Sequence, residues 1–348
     1  MPLTSRTPSI PAGRAAARSV RILSTGKYLP PHVVTSEQLD DKLKVPPGTV
    51  AHKSGVSVRH VARDETMSQM AAKAARAALA RAGLEAHELD AIVCGSGVIE
   101  QPIPNNASLV QRELGLESSG IPAFDVNSTC LGFVSAFDTA ANAIALGQYD
   151  RVLVVASDVA SAGINWNHFE SATLFGDGAA AVVLARPKED SERGSRVLAS
   201  RLETYSAGAD HCRIAAGGSK RPGRFFTPEA ADDYLFHMDG PNVFRMALQT
   251  VPKFFKKLLE AADTTPEQLA VVVPHQASGA AVELLRRKLE VPEERWVNIL
   301  RDHGNCIAAS IPMALHEAIE QGRLRRGDRA MLLGTSAGFS VGGIVFEY

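Results

Sequence analysis

The chain runs to 348 residues, with 37 Lys and Arg against 38 Asp and Glu, and 45% of its residues are hydrophobic. That near-neutral balance, without any stretch in which basic and aromatic residues interleave, argues against a nucleic-acid partner, and no run of about 18 apolar residues exists to cross a membrane. Cys94, Cys130, Cys212 and Cys306 stand far apart with no C-x-x-C spacing, which argues against a zinc site or disulfide framework and for a reduced, cytoplasmic protein.

Residues 1–18 are rich in Ser, Pro, Ala and Arg and contain no acidic residue. They lack the apolar core of a secretory signal, and the expectation is a disordered extension ahead of two halves, 19–190 and 191–348. The first strand-like run starts at Val20. A helix over 70–82, stopped by Gly83, leads to a strand over 89–94, a helix over 106–114 and a strand over 123–126. Cys130 then opens a helix to about Leu146, and a buried strand over 151–155 follows. The second half repeats the script with a helix over 243–262, a strand over 269–273, a helix over 278–289 and an extended piece at 298–300. The turn His303-Gly304-Asn305-Cys306, a helix to about Gln321 and a strand over 329–333 complete it. Helices and strands alternating at this length imply duplicated α/β units in one layered body.

Three residues carry the chemistry in this pattern. Cys130 stands where the N–H groups and dipole of a helix N-terminus favour an anion, which biases its thiol towards the nucleophilic thiolate. A lone cysteine in an apolar setting is more often inert packing. Counting back from Asp150 and Asp328, Cys130 and the Asn305-Cys306 pair open equivalent helices. His275 follows a triple-valine strand, and α/β sheets gather their sites at strand carboxyl ends. Taken singly, His275 reads equally as a structural histidine, Asn305 as a helix cap and Cys306 as packing. Gly176-Asp177-Gly178 lacks the Lys-Ser/Thr continuation of a phosphate loop and reads as a tight turn. No metal cluster, dinucleotide fingerprint or flavin signature is evident, so no cofactor is implied.

In the order Cys130, His275, Asn305 the chain resembles the β-ketoacyl-acyl-carrier-protein synthase III family of the thiolase superfamily. The resemblance runs from about Val20 to Tyr348. It includes 24–30 (Ser-Thr-Gly-Lys-Tyr-Leu-Pro), Ser54-Gly55-Val56, Phe124-Asp125-Val126, Phe175-Gly176-Asp177-Gly178-Ala179-Ala180 and Pro274-His275-Gln276-Ala277. His303-Gly304-Asn305, Ala308-Ala309-Ser310-Ile311-Pro312 and the terminal Gly338-Phe339 complete the series. The resemblance implies a thiolase-like five-layered α-β-α-β-α fold of two pseudo-symmetric halves, and a homodimer. It implies that Cys130 takes an acyl group from a thioester of coenzyme A or an acyl carrier protein. His275 and Asn305 would stabilise the enolate formed as a malonyl thioester loses carbon dioxide. The N–H of Cys130 and one from Ala337 or Gly338 would hold the tetrahedral oxyanions.

The chain departs from the family at its substrate contacts. The tryptophan and arginine that stack the coenzyme A adenine are replaced by Thr49 and Glu170, and the Ala-Asn-x-Arg pattern becomes Ala277-Ser278-Gly279-Ala280. Arg245, Arg286 and Arg287 are the basic residues expected to meet an acidic carrier protein. Ile103 takes the place of a bulky aromatic on the partner-supplied wall of the acyl pocket. These changes point to an unusual acyl donor. Two other readings share the same residues: an acyltransferase in which His275 is the general base for a hydroxyl or amine acceptor, and a non-catalytic partner in a heteromeric synthase.

Overall fold

The computed structural model of the protein describes residues 17–187 and 195–348. The expected extension over 1–16 and the half boundary at 190 lie outside the described residues. Arg18, assigned by composition to the extension, belongs instead to the fold. It starts β1 (Arg18–Ser19), pairs with Val197, and its guanidinium meets Asp138, Asn142 and Ser200.

In the first half, β2 (Arg21–Tyr28) precedes β3 (His32–Thr35), α1 (Ser36–Leu43), α2 (Thr49–Ser54) and β4 (Val58–Val61). Then come α3 (Met67–Ala82), β5 (Ala91–Cys94), α4 (Asn106–Glu113), β6 (Ala123–Asp125), α5 (Gly132–Ala145), β7 (Arg151–Asp158), α6 (Phe169–Leu174) and β8 (Gly178–Ala185). Helix α3 begins at Met67 rather than 70 because Thr66 and Gln69 form a capping box, and Gly83 ends it in the left-handed conformation. The strands order as β2-β8-β7-β5-β6.

The second half contains β9 (Arg196–Thr204), β10 (Cys212–Arg213), β11 (His237–Met238), α7 (Gly240–Ala261) and β12 (Leu269–Pro274). It continues with α8 (Gly279–Lys288), α9 (Leu300–His303), α10 (Ser310–Glu320), β13 (Arg329–Ser336) and β14 (Ser340–Glu347). Its sheet orders as β1-β9-β14-β13-β12. The sheets therefore match strand for strand from β2 and β9 inwards, except at the far edge. The expected strand near 298–300 is reduced to a single parallel bridge between Val272 and Trp296. Its remaining donors are taken: the N–H groups of Ile299 and Leu300 both go to Oε1 of Gln276, at 3.0 and 3.1 Å.

Helices α3 and α4 cover the outer face of the first sheet, and α7 and α8 that of the second. Between the sheets lie α5 and α10, each buried by both, so their apolar residues extend round most of the helix. The result is the five-layered α-β-α-β-α thiolase-like fold. Among the described residues no helix is long and apolar enough to cross a membrane.

One close approach sets the position of the site. A Cβ on Gly132 would stand 2.3 Å from the carbonyl oxygen of Gly95, and one on Gly95 would stand 2.6 Å from that of Gly132. Only glycine backbone lets α5 start directly above the carboxyl end of β5, where it carries Cys130. We expect Gly132→Ala to lower stability by about 1–3 kcal/mol in urea unfolding and to slow acylation of Cys130; unchanged values for both would mean that the contact is not required.

Candidate active site

Cys130 lies in the one-turn segment Thr129–Leu131 that opens α5. Thr129 takes a φ of +48°, outside the range β-branched residues prefer. The turn is held by Oδ1 of Asn127, which accepts from the Thr129 N–H at 2.8 Å, and by Thr129 Oγ1, which donates to the carbonyl of Ala337 at 3.3 Å. The helix-opening placement agrees with the sequence, but the thiolate bias does not. Burial pushes the thiol up to about 11 and the nearby Asp158 adds to the rise, while the backbone N–H groups of Ala337 and Cys130, bonded to the sulfur, pull the other way. Desolvation outweighs the helix end, and the resting thiol is protonated.

Those two N–H groups are the pair expected to serve an oxyanion, and they converge on the sulfur. Ala337 supplies the second donor, while Gly338 shapes the turn at a φ of +82°. Beside them, Asp158 ends β7 completely buried. Its carboxylate accepts from Gly97 and Val98 at 2.8 and 3.0 Å, from Ala309 at 3.0 Å, and from Ala308. Burial raises its pKa to about 7 against the pull of these bonds.

His275 follows β12, its N–H donating to Leu333 at 2.8 Å. A Cβ on Gly334 would touch both His275 Cβ and Leu131 Cδ2 at 3.0 Å, so the base of the His275 side chain lies across a glycine from the residue next to Cys130. Burial lowers its pKa to about 4, which leaves it neutral at pH 7. Its Nδ1 is buried without a partner. A buried lone pair is tolerated better than a buried orphan N–H, which favours the proton on Nε2.

Gln276, given no role by sequence reasoning, is the brace of this corner. Fully buried, it donates to Pro274 and Val297 at 2.8 and 3.1 Å while accepting from Ile299 and Leu300. All four of its amide bonds are satisfied, tying the strand of His275 to the turn leading to Asn305.

Asn305 is 7% exposed. Its N–H donates to Leu174 at 2.9 Å and its carbonyl accepts from Gly176 at 3.2 Å, while Oδ1 accepts from Ile307 at 2.9 Å. That last bond fixes the amide, so Nδ2 reaches the Ala277 carbonyl at 3.3 Å and keeps its other proton for a ligand. The tight turn expected at Gly176-Asp177-Gly178 is thus the clamp on Asn305. A Cβ on Gly176 would stand 2.1 Å from the His303 carbonyl, and the Asp177 carboxylate pins Ala62 and Ser161.

The two halves use the same turn twice. Ile307 takes a φ of +48°, as Thr129 does, and Asn305 accepts from it as Asn127 accepts from Thr129. The strict counterpart of Asn305 is therefore Asn127, and that of Cys130 is Ala308, a shift from the pairing expected at Asn305-Cys306. Cys306 is buried with its sulfur against the His303 carbonyl.

The residues expected to contact substrate are dispersed. Ile103 is 85% exposed on the surface of its own chain. Arg286 is committed internally, to Glu283 and the Val291 carbonyl, and Arg287 also pairs with Glu283; Arg245 donates to Asn242 and remains exposed. Thr49 opens α2 and Glu170 is exposed on the first turn of α6. Between those helices the Lys53 ammonium lies 5.0 Å from the centre of the Phe169 ring.

Paired sheets around two central helices, with a cysteine at the opening of one, define a protein of the thiolase-type fold. The chain belongs to the 3-oxoacyl-acyl-carrier-protein synthase III family: family models match over 124–206 for the synthase III domain, 259–348 for its C-terminal part and 51–162 for the thiolase N-terminal domain. It is 32% identical over 335 residues to β-ketoacyl-acyl-carrier-protein synthase III of Aquifex aeolicus, covering 94% of this chain and 99% of the relative. The Neisseria meningitidis enzyme of that name is 33% identical over 334 residues, covering 94% and 99%. The Aquifex crystal structure superposes with a TM-score of 0.85, covering 94% of this chain and all of that one. OleA of Xanthomonas campestris shares the fold, with a TM-score of 0.82 at 23% identity over 97% of this chain and 100% of its own.

With a thiol pKa near 11, alkylation of Cys130 by iodoacetamide in the free protein should climb with pH well beyond 9. A rate already at its plateau at pH 7 would contradict the buried, protonated thiol.

Proposed function

We propose that the protein is a decarboxylative condensing enzyme that loads an acyl group on Cys130 and extends it with a malonyl thioester to a 3-oxoacyl product. What supports this reading is that two backbone N–H groups meet the Cys130 sulfur, while the second half offers two further donors, neutral His275 and an unspent Asn305 amide proton. The N–H groups of Cys130 and Ala337 face the sulfur, where the carbonyl oxygen of a bound acyl group would lie. His275 and the free Asn305 amide proton provide a second set from the other half. One set suits acyl transfer and the other an enolate.

In the first half-reaction the sulfur attacks the thioester carbonyl, the oxyanion is held by the two backbone donors, and the carrier thiol leaves with the proton. In the second, the thioester oxygen of the malonyl group takes hydrogen bonds from His275 and Asn305 as the bond to its carboxylate breaks. Carbon dioxide departs, the enolate carbon attacks the acyl carbonyl, and Cys130 leaves as thiolate. A neutral His275 suits donation. With a pKa near 4 it is a poor general base at pH 7, which weighs against simple acyl transfer to a hydroxyl or amine.

The substrates in this reading are thioesters of coenzyme A or an acyl carrier protein, and the enzyme acts in the cytoplasm without a cofactor as a homodimer. The exposed Ile103 fits a side chain that completes the acyl pocket of a second copy. Arg245 and Arg287 are exposed towards an acidic carrier, while Arg286 and Arg287 share Glu283 as an internal partner.

Incubation with acyl thioesters and then malonyl thioesters, followed by intact-mass and carbon dioxide measurements, tests this. The expected result is an adduct that requires Cys130 and disappears with release of carbon dioxide. In Asn305→Ala the adduct should form, while carbon dioxide release falls by about 10²-fold. An adduct discharged by a hydroxyl or amine without carbon dioxide would establish the acyltransferase instead, and no adduct from any donor would favour the non-catalytic partner.

A further inference from the structure

We infer that Lys27, acting through His303 and Glu317, is a positioning residue that holds Asn305 in place for the decarboxylation half-reaction. The inference rests on the condensing reading above. Lys27 projects from β2 in the first half, and its ammonium forms an ion pair with Glu317 of α10 in the second. It also approaches Nε2 of His303 at 3.1 Å. Nδ1 of His303 lies 3.0 Å from the Ile299 carbonyl. A carbonyl only accepts, so the proton sits on Nδ1 and Nε2 turns its lone pair to the ammonium. One tautomer satisfies both contacts. Burial first, and the Lys27 charge second, lower the His303 pKa to about 4 and keep that tautomer neutral.

His303 is two residues from Asn305 and belongs to the same rigid turn. The Gly304 N–H donates to Leu300 at 2.9 Å, Gly304 takes a φ of +71°, and the His303 carbonyl packs on Gly176 at a distance that admits no side chain there. A shift of the imidazole therefore moves the backbone from which the Asn305 amide projects. The side chains of Lys27 and Glu317 are only 18% and 21% exposed, so solvent screens this pair less than a surface one. Cys130 is held by other means: the Gly95 and Gly132 contact, Asn127 and Thr129. None of those involves Lys27, so the two half-reactions should separate.

The test compares full-length wild type with Lys27→Met and Lys27→Arg, following Cys130 acylation by intact mass and carbon dioxide release from a malonyl thioester in single turnovers. Lys27→Met should acylate within about twofold of wild type while carbon dioxide release per acylated enzyme falls roughly tenfold to a hundredfold, and Lys27→Arg should recover most of that loss. If Lys27→Met does not fold, Glu317→Gln removes one anchor of the ammonium at constant size and should show the same split. Equal losses in both half-reactions, or decarboxylation at the wild-type rate, would overturn the inference. Wild type that loads but releases no carbon dioxide would instead overturn the condensing reading, and this inference with it.

Discussion

At the centre of the molecule one buried carboxylate joins the two halves. Asp158 ends a strand of the first half, yet one of its oxygens accepts from Gly97 and Val98 of that half and the other from Ala309 of the second. Removing such a group from water is costly, as its pKa of about 7 records, and the cost is met only because backbone donors surround it. The turn carrying Asn305 runs directly into Ala308 and Ala309. The loop at Gly97 presses on both turns, since a Cβ there would stand 2.4 Å from Ile307 Cγ2 and 3.2 Å from the Thr129 carbonyl. Gly97 therefore touches both helix-opening turns, and Asp158 bonds to the Gly97 loop and to the second of them.

Each half builds the same asparagine-braced turn with a left-handed third residue, but one turn is followed by Cys130 and the other by Ala308. In the first the asparagine braces the turn before Cys130; in the second Asn305 also keeps an amide proton unspent. The protonated resting thiol is consistent with a nucleophile activated when substrate arrives.

Much of this was legible in the sequence because periodic apolar segments and glycine stops mark the helices and strands, and because Cys130, His275 and Asn305 sit at element ends. What escaped depends on partners distant in the chain. Arg18 resembles its disordered-looking neighbours in composition, and only the edge of β9, Asp138 and Ser200 reveal its place. The Asn298-Ile299-Leu300 piece precedes its turn as a strand would, but Gln276 takes the donors a ladder would need. The helix-end argument for a thiolate was sound locally and was overruled by burial, which no local pattern records. The pairing of Arg286 with Glu283, three residues before it on α8, was visible in the spacing.

In the proposed reaction, acyl transfer and enolate formation use separate donor sets around Cys130. A crystal structure of the enzyme trapped with an acyl group on Cys130 tests it most directly. The acyl carbonyl oxygen is expected between the N–H groups of Cys130 and Ala337, with His275 and the Asn305 amide open to a second ligand. An acyl oxygen bonded to His275 and Asn305 instead would show that one set serves both steps and would contradict it.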